Sequence, residues 1–85
     1  MSWQVIVDSY ARKYLRKLPK SDAGRIATAL QEFSVNPYSG DIEKLKDEDD
    51  TWRRRVGSYR ILYEVYTPKE IVYVSEIRRR TSKTY

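Results

Sequence analysis

The sequence predicts an α+β fold in which a two-helix hairpin packs on a mainly antiparallel sheet, and three observations carry that expectation. Apolar residues recur at helical spacing between positions 10 and 33, they alternate with period two after position 51, and a polar, acidic stretch separates the two regimes. With 85 residues and 40% hydrophobic composition the chain has enough apolar material for one core but not two, so a single domain over residues 1–85 is expected.

Trp3-Gln4-Val5-Ile6-Val7 is short, β-branched and partly alternating, as a strand requires. Asp8-Ser9 follow directly and can accept hydrogen bonds from the first free amides of a helix. In that helix Tyr10, Ala11, Tyr14, Leu15 and Leu18 form one stripe, expected to be buried, while Arg12, Lys13, Arg16 and Lys17 fill the opposite side. Pro19 stops the helix, and Ser21-Asp22 are expected to cap a second one. There Ile26, Leu30 and Phe33 recur at i, i+4 and i+7, Ala23, Ala27 and Ala29 permit a close neighbour, and Asn36-Pro37 end the run. Tyr38 to Asp50, with Ser39-Gly40 and the acidic run from Asp47 to Asp50, reads as an exposed loop. Strands are then expected from Trp52 to Val56, Tyr59 to Tyr66 and Ile71 to Ile77, joined by Gly57-Ser58 and by Thr67 to Glu70. The expected order is β-α-α-β-β-β.

Composition excludes several chemistries. The absence of cysteine rules out a disulfide framework, an iron–sulfur cluster and a Cys-type zinc site, and the absence of histidine removes the commonest metal ligand and the usual proton shuttle. The acidic run lacks the spaced oxygen ligands and central glycine of a calcium loop, so neither metal nor cofactor is expected. No apolar stretch is long enough to span a bilayer, and a cytoplasmic protein without membrane contact is expected. Charge is uneven: residues 1–50 hold eight Lys/Arg and nine Asp/Glu, residues 51–85 nine Lys/Arg and three Asp/Glu. A field concentrated in the last third favours a polyanionic partner.

The two-residue turn at Gly57-Ser58 sets Val56 opposite Tyr59, Arg55 opposite Arg60, Arg54 opposite Ile61 and Arg53 opposite Leu62. A four-residue second turn sets Tyr66 opposite Ile71, and uninterrupted counting from there sets Ile61 opposite Glu76 and Arg60 opposite Ile77. One face then carries Tyr59, Ile61, Tyr63, Val65, Val72 and Val74 as a bed for the helices. The other collects Arg53, Arg55, Arg60 and Arg79, while Arg54 falls on the helix side, where it is expected to neutralise Glu76. Arginines directly opposed across strands repel one another, so the cluster is understandable where an anion sits among them, and guanidinium forks match phosphate oxygens best. The competing reading is an arginine-coated face that prevents edge aggregation. Tyr59, Tyr63 and Tyr73 alternate as strand residues do and are expected to pack rather than to stack on bases.

The run Trp52-Arg53-Arg54-Arg55-Val56-Gly57-Ser58-Tyr59-Arg60-Ile61-Leu62-Tyr63-Glu64-Val65, then Ile71 to Arg80 and a terminal Tyr85, resembles the RelE/ParE superfamily of toxins along the whole chain. The resemblance implies a RelE-like fold and a toxin of a type II toxin–antitoxin pair, bound by a cognate antitoxin in a heteromeric complex. In the RelE-like branch it further implies an endoribonuclease that acts on mRNA in the ribosome without a metal, through attack of a ribose 2′-hydroxyl on the adjacent phosphate. The alternatives on the same fold are a ParE-like toxin that inhibits DNA gyrase and an inactive, antitoxin-binding member.

Carried over residue by residue, the RelE-like cluster falls on Arg53, Arg55, Arg60, Arg79 and Tyr85. Arg60 and Arg55 would hold the scissile phosphate, Arg53 would anchor neighbouring backbone, and Arg79 would stabilise the transition state or assist the leaving oxygen. Tyr85 would accept the 2′-hydroxyl proton, helped by nearby cations that favour its phenolate, or would stack on a base. Arg78 and Arg80 alternate away from Arg79 and are assigned general attraction for RNA phosphates. Tyr10 and Tyr14 are assigned to the groove that receives the antitoxin, and packing in the core explains them equally well.

Overall fold

A computed structural model of the protein describes residues 2–46 and 50–80. Strand β1 (Gln4–Val7) leads into helices α1 (Ser9–Arg16) and α2 (Lys20–Val35), followed by β2 (Ile42–Lys44), β3 (Thr51–Val56), β4 (Tyr59–Tyr66), a 3₁₀ turn (Thr67–Lys69) and β5 (Ile71–Arg79). The five strands form one sheet in the order β1-β5-β4-β3-β2. Only β1 and β5 pair in parallel; the other neighbours are antiparallel. Both helices lie on one face, α1 against β5 and α2 against β1 and β3.

Asp8 caps α1 as its position suggests: its carboxylate accepts the Tyr10 amide at 2.9 Å and also the Tyr73 hydroxyl from β5, and its own amide donates to the Val74 carbonyl at 2.9 Å. One residue thus ends a strand, starts a helix and ties both to the sheet. These two donors hold the Asp8 carboxyl below its ordinary value, the Tyr73 hydroxyl contributing most. Ala11 is fully buried and Tyr14, Leu15 and Leu18 pack against the core, but Tyr10 is 69% exposed. It sits in the first turn, where side chains tilt toward the N-terminus, off the end of an eight-residue helix. Pro19, with extended ψ 149°, occupies the N-cap of α2, so Ser21 and Asp22 lie inside the first turn rather than capping it. Asp22 instead accepts the Tyr59 hydroxyl at 2.9 Å, which pushes that phenol upward.

The core joins Ile26, Ala29 and Phe33 of α2 to Tyr59, Ile61, Tyr63 and Val65 of β4 and Val72, Val74 and Ile77 of β5. Tyr59, Ile61, Tyr63, Val65, Val72 and Val74, expected as the bed for the helices, are all buried. Phe33 and Tyr63 meet at 4.2 Å between ring centroids, and the Tyr63 hydroxyl donates to the Pro37 carbonyl at 2.7 Å, closing the end of α2. Burial drives the Tyr63 phenol strongly upward.

Two further features depart from expectation. First, the segment read as loop between Tyr38 and Asp50 contains β2, which pairs Ile42 with Arg54, Glu43 with Arg53 and Lys44 with Trp52. It is short, charged and on the sheet edge, so it carries little of the alternation that marks an inner strand. Asp47, Glu48 and Asp49 lie outside the described residues; Asp50 is exposed. Second, a bulge breaks the β4–β5 register: Tyr63 opposes Val74 but Leu62 opposes Glu76. Beyond it Ile61 faces Ile77, Arg60 faces Arg78 and Tyr59 faces Arg79. Uninterrupted pairing would have turned Ile77 outward and Glu76 inward, whereas the bulge leaves Ile77 2% exposed. Burying an isoleucine is worth about 1.5–3 kcal/mol, which favours the shifted register.

Candidate functional site

The pleat of β3 sends Arg53 and Arg55 to the face opposite the helices, and the tight hairpin brings Arg60 directly across from Arg55. Gly57 makes that hairpin possible, with φ +57° at the first turn position. The Arg80 amide then donates to the Ser58 carbonyl at 2.6 Å, so Arg80, the residue after β5, is fastened to the same turn. Arg53, Arg55, Arg60 and Arg80, with Asp41 and Glu43, line a cleft of about 270 Å³.

The four guanidiniums are not equivalent. Arg53 donates to Glu43 from Nη2 at 2.6 Å and from Nε at 3.2 Å, and Arg55 donates from Nε to Asp41 at 3.0 Å. Arg60 has no carboxylate partner among the described residues. Burial, followed by repulsion from Arg53, Arg80, Arg78 and Arg55, holds its guanidinium below the ordinary value. An arginine remains protonated under such pressure, so this is a positive charge held where an anion would relieve it. Glu43 shows the complementary effect, its carboxyl lowered by the hydrogen bond and charge of Arg53.

The structure thus brings together Arg53, Arg55 and Arg60 as expected, and it exchanges the tail arginines. Arg79 does not share their face. Its guanidinium lies 5.9 Å over the Tyr59 ring on the helix side, because the β5 bulge inverts side-chain parity. Arg80, expected to alternate away, lines the cleft instead. Arg78 shares the Arg60 face but is engaged with Glu76 at 2.9 Å, which raises its guanidinium above the ordinary value. Arg54 does lie on the helix side, yet it pairs with Glu32 at 2.7 Å and not with Glu76. Tyr85 lies outside the described residues. Tyr14 is half-buried against the core, and Tyr10 stands exposed on α1.

Sequence reasoning missed Asp41 and Glu43. Their signal was available in the chain as two acidic residues at spacing two, Asp41-Ile42-Glu43, the pattern of a strand presenting both to one face. Tyr59 and Tyr63 pack in the core as expected, and the half-buried Tyr73 is committed to Asp8. No helix of the described residues is long and apolar enough to cross a membrane, and no group of three or more metal-ligating side chains occurs among them.

A small sheet covered on one side by two helices has counterparts among known proteins. The chain is 29% identical over 83 residues to the protein RelE1 of Methanocaldococcus jannaschii, covering 94% of this chain and 92% of that one. Its fold is similar to the RelE–RelB complex from Pyrococcus horikoshii OT3 (TM-score 0.85, 24% identity, 98% of this chain and 100% of that one). The RelB–RelE antitoxin–toxin complex from Methanococcus jannaschii is also similar (TM-score 0.72, 26% identity, 87% of this chain and 88% of that one). Residues 4–83 match the family described as the ParE toxin of type II toxin–antitoxin systems, parDE, and the chain belongs to that family, a RelE-like toxin within the RelE/ParE superfamily.

Proposed function

We propose that this toxin is an endoribonuclease that cuts mRNA in the ribosome and so inhibits translation. The observation that supports this reading is the cleft, where Arg53, Arg55, Arg60 and Arg80 converge and Arg60 has no carboxylate partner among the described residues. Planar guanidinium edges match the non-bridging oxygens of a phosphodiester, and charge developing on those oxygens in the transition state is what fixed cations stabilise best. In the proposed step a 2′-oxygen forms a bond to phosphorus as its proton leaves. The bond from phosphorus to the 5′-oxygen breaks, and that oxygen takes up a proton from water. Arg60 holds the scissile phosphate, Arg55 and Arg53 hold its neighbours, and Arg80 takes the place expected of Arg79. Tyr85 is assigned the proton acceptor on the resemblance alone. Contacts of this kind bind backbone and carry no base information, which suits an enzyme whose substrate is positioned by the ribosome.

A cognate antitoxin is the proposed partner, in a heteromeric complex like those solved for RelE and RelB, with exposed Tyr10 as a contact. The match to a ParE family favours a second reading, inhibition of DNA gyrase without chemistry by the toxin itself. Brief induction in a bacterial host lacking the antitoxin, with primer-extension mapping of mRNA 5′ ends, separates the two. New ends inside translated reading frames, lost with Arg60→Ala, are expected. Growth arrest with intact mRNA and broken or relaxed chromosomal DNA would move the protein to the gyrase reading, and no effect at all would leave an inactive, antitoxin-binding member.

A further inference from the structure

We propose that Asp41 and Glu43 are built-in competitors for two phosphate subsites of the cleft, and thereby limit how tightly the toxin holds RNA. The inference rests on the reading of the cleft as a phosphodiester site and adds to it two residues that determine affinity.

The geometry carries the argument. One oxygen of Glu43 receives both Nη2 and Nε of Arg53, at 2.6 and 3.2 Å, and Asp41 receives Nε of Arg55 at 3.0 Å. These are the edges a guanidinium offers to the oxygens of a phosphate. Two of the four cleft arginines are therefore already satisfied by anions of the chain itself. A strand of RNA that engages all four must exchange two carboxylates for two phosphates.

That exchange is physically accessible. The side chains of Glu43 and Asp41 are 66% and 61% exposed, so each can turn into water without burying its charge. Exposed ion pairs contribute little to stability, small enough for a polyanion to displace. The carboxylates nevertheless cannot leave, because their backbone is pinned. Glu43 pairs with Arg53 in the sheet, and the Arg55 amide donates to the Asp41 carbonyl at 2.9 Å. Just before them, Gly40 (φ +84°) lies so close over Arg54 that an added Cβ would come within 2.5 Å of its Cζ. Arg54 in turn is held by Glu32 and lies 5.9 Å from the Phe33 ring. After displacement both negative charges stay at the rim and continue to oppose the bound strand. Arg60 and Arg80, without carboxylate partners among the described residues, form the subsite open to a first phosphate.

The test uses the full-length protein and a fluorescein-labelled hexauridine carrying 2′-O-methyl groups, which bind but cannot be cut, followed by fluorescence anisotropy across a salt series. Glu43→Gln and Asp41→Asn are each expected to bind roughly two- to fivefold tighter than wild type, the range an exposed ion pair is worth. Each is also expected to steepen the dependence of log K on log salt, by up to about 0.7 for every arginine released to a phosphate. Glu70→Gln changes the net charge equally at the far end of β4 and is expected to leave binding unchanged. Arg60→Ala is expected to abolish binding. Unchanged or weaker binding by both cleft variants, with wild type still binding, overturns the proposal, as does equal tightening by Glu70→Gln. If wild type does not bind, or Arg60→Ala binds as well as wild type, the phosphate reading of the cleft fails and the proposal falls with it.

Discussion

Arg53, Arg54 and Arg55 are consecutive and chemically identical, yet the two faces of β3 give them opposite work. Arg54 is 13% exposed, paired with Glu32 and covered by Phe33 and Gly40, while its Nε and Nη1 are buried without a partner among the described residues. Arg53 and Arg55 stand on the open face, 32% and 52% exposed, held only by rim carboxylates. A guanidinium shut against an aromatic ring acts largely as a packed, flat side chain with one charge to settle. The same group facing water beside three others is a reservoir of unspent positive charge. The difference teaches that a basic run read as one feature is divided by the pleat into structural and ligand-binding halves.

The largest effect expected on the open face is functional. Arg60→Ala should lower mRNA cleavage by about 10²- to 10³-fold, the usual worth of one fixed transition-state donor, with melting temperature unchanged or raised because a mutually repelling charge is removed. Wild-type cleavage by this variant, in the primer-extension assay or with purified ribosomes, would falsify the division of labour.

On the covered face the effect is expected in stability. Arg54→Ala should cost about 2–3 kcal/mol in urea denaturation through lost packing, whereas Arg54→Met, which keeps the stem and discards two unpartnered donors, should stay within about 1 kcal/mol of wild type. Equal loss in both variants would show that the charge, and not the packing, is what the covered face uses.

A smaller contrast separates two carboxylates whose values lie below the ordinary range for different reasons. Asp8 is lowered chiefly by uncharged donors, Glu43 by the Arg53 cation. Added salt should therefore return Glu43 toward its ordinary titration and leave Asp8 nearly in place, a pair of carbon-detected NMR titrations being the check. The sign for stability follows from the lowered value. The contribution of Asp8 is complete above its unfolded value and is lost as pH falls through the folded one, so Asp8→Ala should be less stable than wild type at neutral pH and show a shallower decline toward pH 3. The smallest change is expected for Arg55→Ala, within about 0.5 kcal/mol of wild type in the same urea assay.

Much of this arrangement is legible in the chain, because turn length and alternation act locally. Gly57-Ser58 sets the β3–β4 register, which pairs Arg55 with Arg60 as expected and buries the alternating set from Tyr59 to Val65. Asp8 caps its helix for reasons contained in two adjacent residues. The failures share a cause in longer range. The β4–β5 register is decided by the burial of Ile77, and the spacing Val72, Val74, Ile77 was a visible break in period two whose meaning depends on the partner strand. Likewise β2 exists because β3 offers it an edge; alone, Ile42-Glu43-Lys44 has one apolar residue and no reason to extend.

Period, turn chemistry and charge distribution, all properties of near neighbours along the chain, were sufficient to establish an α+β fold with an arginine-bearing sheet face. Which arginine completes the cleft was decided only when the strands met. A one-residue bulge inverts every side chain beyond it, replacing Arg79 with Arg80, and the pairing of an edge strand sets Asp41 and Glu43 against two of the guanidiniums. Such choices depend on which apolar groups can be buried together, a property of the packed whole and not of any segment.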